Sequence, residues 1–477
     1  MATNIFSKLK ERGFDTCPED FYSKVDLWKS WYDGYVEKFH RYQVYNGMKK
    51  VRCDRYSLGM GKKVCEDWAN LEMTEKVAIT LEGDKEQEYI DNVFRENSFR
   101  VKANEEIELT AAMGTGAIVP RITGVTINEE TGEVQGEAGK IKLDYVQMPN
   151  IWPLSWENGK AIECAFGTKK VNGKDEYLYV QIHRLNEQGN YDIENVLFRD
   201  NKGSLTEVEL AEVEEYANIP AVVHTNSPDR QFVLLRMNIV NNIDPTLPLG
   251  ISVFANAIDN LKACDIAYDA YVNEFVLGKK RVILKAGALK SFEGDFLFDP
   301  DDLAYYVLPE DSNDQTLMNP VDMGLRCDAL NKGMQDMLNV LSGKVGFGEN
   351  HYQYDRGSIT TATQIISENS TLFRSLKKHE LVLNDALEEL VRILLRIGKT
   401  YVDGAINPDV EMSIDFDDSI IEDKGVEFQR DMLMLQAGIL NSYEFRMKWM
   451  NEDEATAKEA LPKMEDLVSG TETPEGE

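Results

Sequence analysis

The stretch SITTATQIISENSTLFRSLKKHELVLNDALEELVRILLRI, residues 358–397, decides how the chain is read. It lies between Gly357 and Gly398 and contains neither glycine nor proline. Leu372, Leu376, Leu383, Leu387, Leu390, Leu394 and Ile397 recur at the spacing of one helical face. Thr360 or Thr361 can cap its start. At 1.5 Å per residue such a helix runs roughly 60 Å, well beyond the usual three or four turns. Glu380 stands where the stripe asks for an apolar residue, and Asn369 and Ser370 interrupt the first half. The reading is a long spine with a soft point at which it bends.

Just upstream, residues 343–357 contain Gly346, Gly348, His351, Tyr352 and Tyr354. Their glycines match no phosphate- or dinucleotide-binding spacing, so the segment reads as a mobile loop. Before it, Leu330, Met334, Met337, Leu338 and Leu341 mark a helix over about 325–342. Another starts near Ser252 and runs about 25 residues to Gly278, striped by Phe254, Ile258, Leu261, Cys264, Tyr268, Tyr271 and Phe275. The segment between these helices reads as a compact β-containing insert, with strands at 281–285, 296–298 and 304–308 and an acidic turn at 299–302. Two helices flanking a small module have the plan of a stalk with a tip.

Further upstream, residues 105–240 read as strands and hairpins: 117–125, 140–146, 161–169, 177–185 and 196–198. Turn signals at 130–132, 172–173 and 188–190 divide them. Gly114-Thr115-Gly116 lacks a following GK[ST] and reads as a plain turn. Residues 19–45 read as one aromatic helix, with shorter helices near 56–68 and 85–97. So many rings on one helix suit core packing, and also contact with a neighbouring chain. Downstream, 410–416 alternates as a strand, 420–468 reads as short acidic helices, and the tail from Ser469 is disordered by composition. The fold class is α+β.

At 477 residues and 43% hydrophobic, the chain can bury large cores in several domains. No apolar run approaches the roughly 20 residues that span a bilayer, and the N-terminus MATNIFSKLKERGF lacks the apolar core of a secretory signal. The six cysteines never form a CxxC, so free thiols in a reducing cytoplasm fit best. The net charge of −31 is unevenly spread. Residues 1–65 carry 13 Lys and Arg against 8 Asp and Glu; residues 407–477 carry 6 against 19. Such acidity argues against tight nucleic-acid binding but permits a wall that repels phosphate.

Catalytic chemistry finds no foothold. The five histidines are scattered, and there is no G-x-S-x-G, H-E-x-x-H or P-loop. Asp415, Asp417, Asp418, Glu422 and Asp423 cluster without histidine or EF-hand spacing, and read as a solvated turn. No catalytic residue, metal ligand or cofactor is assigned.

Three features resemble the portal proteins of tailed bacteriophages, in the branch common to phages and prophages of Gram-positive bacteria. One is the run from Asp26 to Tyr32 (DLWKSWY) with Phe39-His40 downstream. Another is TATQIISENS from Thr361 to Ser370, leading to Lys377-Lys378-His379-Glu380 and preceded by Gly346-Phe347-Gly348. Gln364 departs from the acid commoner at that position. The third is the order of elements, and together the three cover nearly the whole chain.

The resemblance implies a ring of about twelve subunits at one capsid vertex, with double-stranded DNA passing through its channel. It implies a wing (1–249), stem helices (250–277 and 324–343), a clip (278–323) and a tunnel loop (344–358). Residues 359–419 would be spine helix and wing return strand, and 420–477 crown and acidic tail. Glu349, Asn350, His351, Tyr352, Gln353, Tyr354, Asp355 and Arg356 would face DNA. Lys279, Lys280 and Arg281 would dock the terminase large subunit and later a head-completion adaptor. Trp28, Trp31, Tyr32, Tyr268 and Tyr271 would lie between subunits. Major capsid and scaffolding proteins are further implied partners; no membrane is involved. The implied place is the virion, with assembly in the host cytoplasm, and the portal itself is not an enzyme. A metal-dependent nuclease or phosphodiesterase using Asp415, Asp417 and Asp418, or a ring-forming scaffold without a DNA channel, stay open as alternatives.

Overall fold

The computed structural model describes residues 2–460 except 46, 48, 75–76, 124–125, 128–133, 136–139, 279–280, 286–304, 309–317, 322–323, 354–361, 417–423, 451 and 453. At 47% helix and 24% strand the chain is α+β. It divides into two compact units, Met1–Phe416 and Asp417–Glu477.

The first unit opens with α1 (Ala2–Glu11), α2 (Glu19–Tyr32) and one-turn α3 (Glu37–His40). The aromatic stripe over 19–45 is therefore not one helix. Gly34 takes φ +78°, its N–H donates to the Trp31 carbonyl at 3.2 Å, and the Tyr35 N–H donates to the Ser30 carbonyl at 3.1 Å. A left-handed glycine closing the last turn in this way stops a helix. Past α3 the chain runs into a hairpin, β1 (Arg41–Tyr45) and β2 (Lys50–Asp54), that pairs Arg41 with Asp54.

Then come α4 (Met60–Glu72), β3 (Ala78–Leu81), α5 (Asp84–Glu96) and α6 (Phe99–Met113). The sequence reading begins the strands at 105, but α6 runs through that point. Ala103, Ile107 and Ala111 keep a four-residue step and are all buried, which a strand could not arrange. The strands follow: β4 (Gly116–Thr123), β5 (Thr126–Ile127), β6 (Val134–Gln135), β7 (Lys140–Gln147) and β8 (Ile151–Glu157). After them come β9 (Lys160–Asn172), β10 (Asp175–Leu185), β11 (Tyr191–Asn201), β12 (Ser204–Val208), β13 (Val222–His224) and β14 (Val233–Leu235). An antiparallel sheet runs β12-β11-β10-β9-β8 with β13 also on β11, and a second runs β14-β4-β7. The turns read at 172–173 and 188–190 hold Gly173 at φ +67° and Gly189 at φ +80°. The turn at 130–132 lies outside the described residues.

The remaining elements of this unit are α7 (Ile258–Leu277), β15 (Arg281–Lys285), β16 (Tyr305–Leu308), β17 (Met318–Val321), α8 (Cys327–Lys344), α9 (Ala362–Tyr401) and β18 (Met412–Asp415). The insert between α7 and α8 is a three-stranded sheet, β16-β15-β17, parallel on one side and antiparallel on the other. The strand read at 296–298 and the acidic turn at 299–302 lie outside the described residues.

The long helix is real: α9 spans 40 residues and its helical state continues through Asn369, Ser370 and Glu380. Leu376, Leu383, Leu387, Leu390, Leu394 and Ile397 are buried along the stripe. Toward the end Val391, Ile393 and Leu395 are buried too, so the apolar face widens around most of the helix over residues 390–397. They pack with Ile90 of α5, Ile107 of α6, and Ile118 and Leu143 of the smaller sheet. Glu380 is buried and takes an ion pair from Lys377 at 2.9 Å. β18 then pairs antiparallel with β3, placing the end of this unit against its first third.

The second unit contains α10 (Lys424–Gln436), α11 (Ser442–Met450) and α12 (Glu454–Glu459). Phe428, Phe445 and Trp449 cluster there, and the buried Asp431 accepts from Lys448 Nζ at 2.7 Å and Trp449 Nε1 at 3.2 Å. The tail read as disordered lies outside the described residues.

Candidate functional site

The candidate site is the pair α7 and α8 with the turn that follows α8. The helices lie side by side and are clasped at the base of their insert. Glu274 accepts from the Arg326 backbone N–H at 2.9 Å, from its Nε at 3.1 Å and from its Nη2 at 2.8 Å. Those hydrogen bonds hold the Glu274 carboxyl down at about 2. A Cβ on Gly278 would come within 2.8 Å of Leu325, so the two ends of the insert meet there.

α7 is tethered by two acids four residues apart. Asp265 (3% exposed) accepts from Leu58 N–H at 2.7 Å and from His40 Nε2 at 3.0 Å, with Ser57 Oγ at 3.3 Å. Asp269 accepts from Tyr56 N–H at 3.0 Å. The segment between β2 and α4 is thus fixed to the helix by its backbone. By contrast, Ile266, Phe275, Val276 and Leu277 of α7, Leu325 before α8, and Met337 and Val340 of α8 are exposed. An apolar set of this size on one helix pair marks a contact surface.

The turn after α8 is folded over its described half. Trp68, wholly buried on α4, donates from Nε1 to the Val345 carbonyl at 3.1 Å and stacks on Phe347 at 4.7 Å. Phe347 in turn stacks on His351 at 4.4 Å. Gly346 and Gly348, at φ +97° and +95°, give the chain the left-handed geometry this packing requires. So residues 345–353 are not the free loop the sequence suggests. Burial pushes the Asp67 carboxyl up, but the neighbouring His351 at 3.6 Å, Lys63 at 2.6 Å and the Tyr352 hydroxyl outweigh it and hold the group below its usual range. His379 of α9 meets Trp68 in a T-shaped contact at 4.7 Å, and its Nδ1 accepts from Asn238 N–H at 3.0 Å. Burial pushes it down to about 4, so it is neutral.

The sequence-selected residues divide as follows. Trp28 and Trp31 (2% and 3% exposed) lie inside the chain's own core, so as the molecule stands they are withheld from any neighbour. Tyr32 is half-buried and donates to Glu108 at 2.6 Å. Tyr268 and Tyr271 are half-buried on α7, Tyr271 edge-on to Phe275 at 5.2 Å. Glu349, Asn350, His351, Tyr352 and Gln353 are brought together, with Gln353 donating to Asn350 at 2.7 Å and Gln335 to the Tyr352 carbonyl at 2.9 Å. Tyr354, Asp355, Arg356, Lys279 and Lys280 lie outside the described residues, and Arg281 opens β15 opposite Val321. Sequence reasoning missed Asp265 and Asp269, though two acids at a four-residue step inside an apolar stripe were a readable signal.

Among the described residues, no three His, Cys, Asp or Glu side chains could hold a metal ion. Asp415 is exposed at the end of β18; Asp417 and Asp418 lie outside the described residues. Gly114-Thr115-Gly116 is a helix stop at which two backbones meet. A Cβ on Gly114 would stand 2.5 Å from the Gly250 carbonyl, and Thr115 Oγ1 accepts from Gly250 N–H at 2.9 Å. No helix among the described residues is long and apolar enough to cross a membrane.

A family model described as "Phage portal protein, SPP1 Gp6-like" matches residues 14–466. Among solved structures, the chain is similar to one in "Neck of native GTA particle computed with C12 symmetry". The likeness has 12% identity and a TM-score of 0.38, over 81% of this chain and 88% of that one. A comparison with curated proteins finds no match.

Proposed function

The chain belongs to the SPP1 Gp6-like family of phage portal proteins, and on that premise we propose that it forms a closed ring of about twelve subunits at one capsid vertex. The ring is the channel through which double-stranded DNA is packaged and later ejected. The family is a structural one, and the protein's part is positional rather than catalytic. The observation that carries this reading is the set of exposed apolar side chains on α7 and α8 in a chain of net charge −31. A ring buries such side chains between neighbours and leaves no open edge.

In this reading residues 1–249 form the wing, α7 and α8 the stem, and 278–323 the clip. The loop 344–358 faces the channel, 359–419 form the spine and return strand, and 420–477 the crown and tail. The clip, through Lys279, Lys280 and Arg281, docks the terminase large subunit and then a head-completion adaptor. The folded turn at 345–353 supports the loop assignment, because Trp68 and α9 give a constriction a firm base. Acidic walls release few counterions on meeting phosphate, so DNA slides rather than sticks. Tyr268 and Tyr271 lie on the subunit contact, whereas Trp28 and Trp31 support it from within.

Native mass spectrometry across micromolar concentrations tests the ring, which should appear without nucleic acid or cofactor; a monodisperse monomer refutes it. Deleting residues 351–354 should leave the ring intact and reduce packaging or retention of full-length DNA. Wild-type levels of both would remove the loop from the constriction.

A further inference from the structure

The β1–β2 hairpin is at odds with the rest of the chain in two ways. Between residues 41 and 55 it carries Arg41, Lys49, Lys50, Arg52 and Arg55 against Asp54 alone, on a protein of net charge −31. It also has two distinct faces. The register pairs Tyr42 with Cys53 and Val44 with Val51, so these four share one side of the ribbon. Arg41, Gln43, Tyr45, Lys50, Arg52 and Asp54 occupy the other, all exposed. Such alternation is what a sheet shows when one face packs against something. Here the packing stops halfway. The Arg55 guanidinium lies 4.8 Å over the Tyr42 ring at the base, while Val44, nearer the tip, is 47% exposed.

The base of the hairpin is fixed. Arg55 N–H donates to the His40 carbonyl at 2.7 Å and Arg55 Nη1 to the Phe39 carbonyl at 2.8 Å. His40 and Tyr56, which bracket the ribbon, are bonded to Asp265 and Asp269 of α7. The ribbon therefore leaves from the same helix that carries the exposed Ile266 and Phe275.

We infer that the β1–β2 hairpin is an arm that each subunit lays on the next copy of this chain, meeting it with its basic side and with Val44 and Tyr45 near the tip. The inference rests on the ring reading. The occupant is a second copy because the ribbon is basic and the rest of the chain is acidic, and because the arm is rooted on the helix that carries the exposed Ile266 and Phe275. An arm given to one neighbour while another is received is a head-to-tail contact, the kind that generates rings.

The test combines Lys50→Glu/Arg52→Glu with a photoreactive benzoylphenylalanine replacing Val44. Both alter exposed side chains and spare the base. The charge-reversed protein should melt as the wild type does but need about tenfold more protein to half-assemble at low salt, a gap that shrinks as salt rises. In rings mixed from light and heavy-isotope subunits, the photoreactive variant should yield covalent light–heavy pairs. If wild-type rings form and the charge-reversed protein assembles equally well, with cross-links only within chains, the arm is refuted and the ring reading stands. If ring formation is unchanged but binding to duplex DNA is lost, the arm contacts nucleic acid and the inference also fails. Should the wild type form no ring, both readings fall.

Discussion

Replacing Asp265 separates a structural tether from an incidental contact. Its carboxylate is 3% exposed and takes hydrogen bonds from Leu58 N–H at 2.7 Å and His40 Nε2 at 3.0 Å. His40 Nδ1 accepts from Val36 N–H at 2.8 Å, which puts the ring proton on Nε2, facing Asp265. Asp265→Ala strands two buried donors, each worth about 1–3 kcal/mol when left unpaired. We expect a loss of about 2–6 kcal/mol, the sum for the two stranded donors. Asp265→Asn keeps an oxygen for Leu58 N–H but turns an amide N–H toward the His40 proton. It should cost about 1–3 kcal/mol. The assay is urea unfolding at protein concentrations too low for assembly, followed by tryptophan fluorescence, with His40→Ala and the double variant completing a cycle. Coupling below about 0.5 kcal/mol, together with a small Asp265→Ala effect, would refute the tether.

Three further outcomes follow from the geometry. Gly114→Ala should destabilise by about 2–4 kcal/mol in the same assay, because φ is +92° and the new Cβ meets the Gly250 carbonyl at 2.5 Å; wild-type stability would disprove the close approach. Burial, reinforced by Glu380, pushes the Glu72 carboxyl up to about 8, so the folded state keeps a proton that the unfolded chain releases near 4. Its contribution is full below that lower value and is lost as pH rises through about 8, so Glu72→Gln should raise the unfolding midpoint at pH 8 more than at pH 4; equal gains would exclude that titration. Arg326→Ala should leave the midpoint unchanged but speed hydrogen exchange in β15 and β17, whose ends the Glu274 clasp holds together; unaltered exchange would make the clasp ornamental.

Periodicity carried much of the fold into view. α9, α8, β10 and β15 lie close to where apolar spacing puts them, because the helices keep one striped face and the strands are runs rich in β-branched and aromatic residues, β10 being buried on both faces. The misreadings have local causes. One helix over 19–45 fails at Gly34, a single left-handed residue that an aromatic stripe conceals. α6 was legible in the step of Ala103, Ile107 and Ala111, but the β-rich stretch that follows masks where it ends. β8 eluded the reading because Pro153 and a bulge near Ser155 break its alternation. The candidate site was legible as a helix pair with an insert and a glycine turn. Its anchoring was not: Trp68 lies 277 residues from Val345 in sequence, and no local pattern reports such a contact.

The central claim is that this chain closes into a channel. Single-particle electron microscopy of the purified protein, averaged without imposed symmetry, tests it most directly. Closure into a channel requires top views of a closed ring of about twelve subunits around an open hole, with α7 and α8 of adjacent copies in contact. Isolated monomers, closed dimers or a ring without a hole, at concentrations well above micromolar, would contradict it.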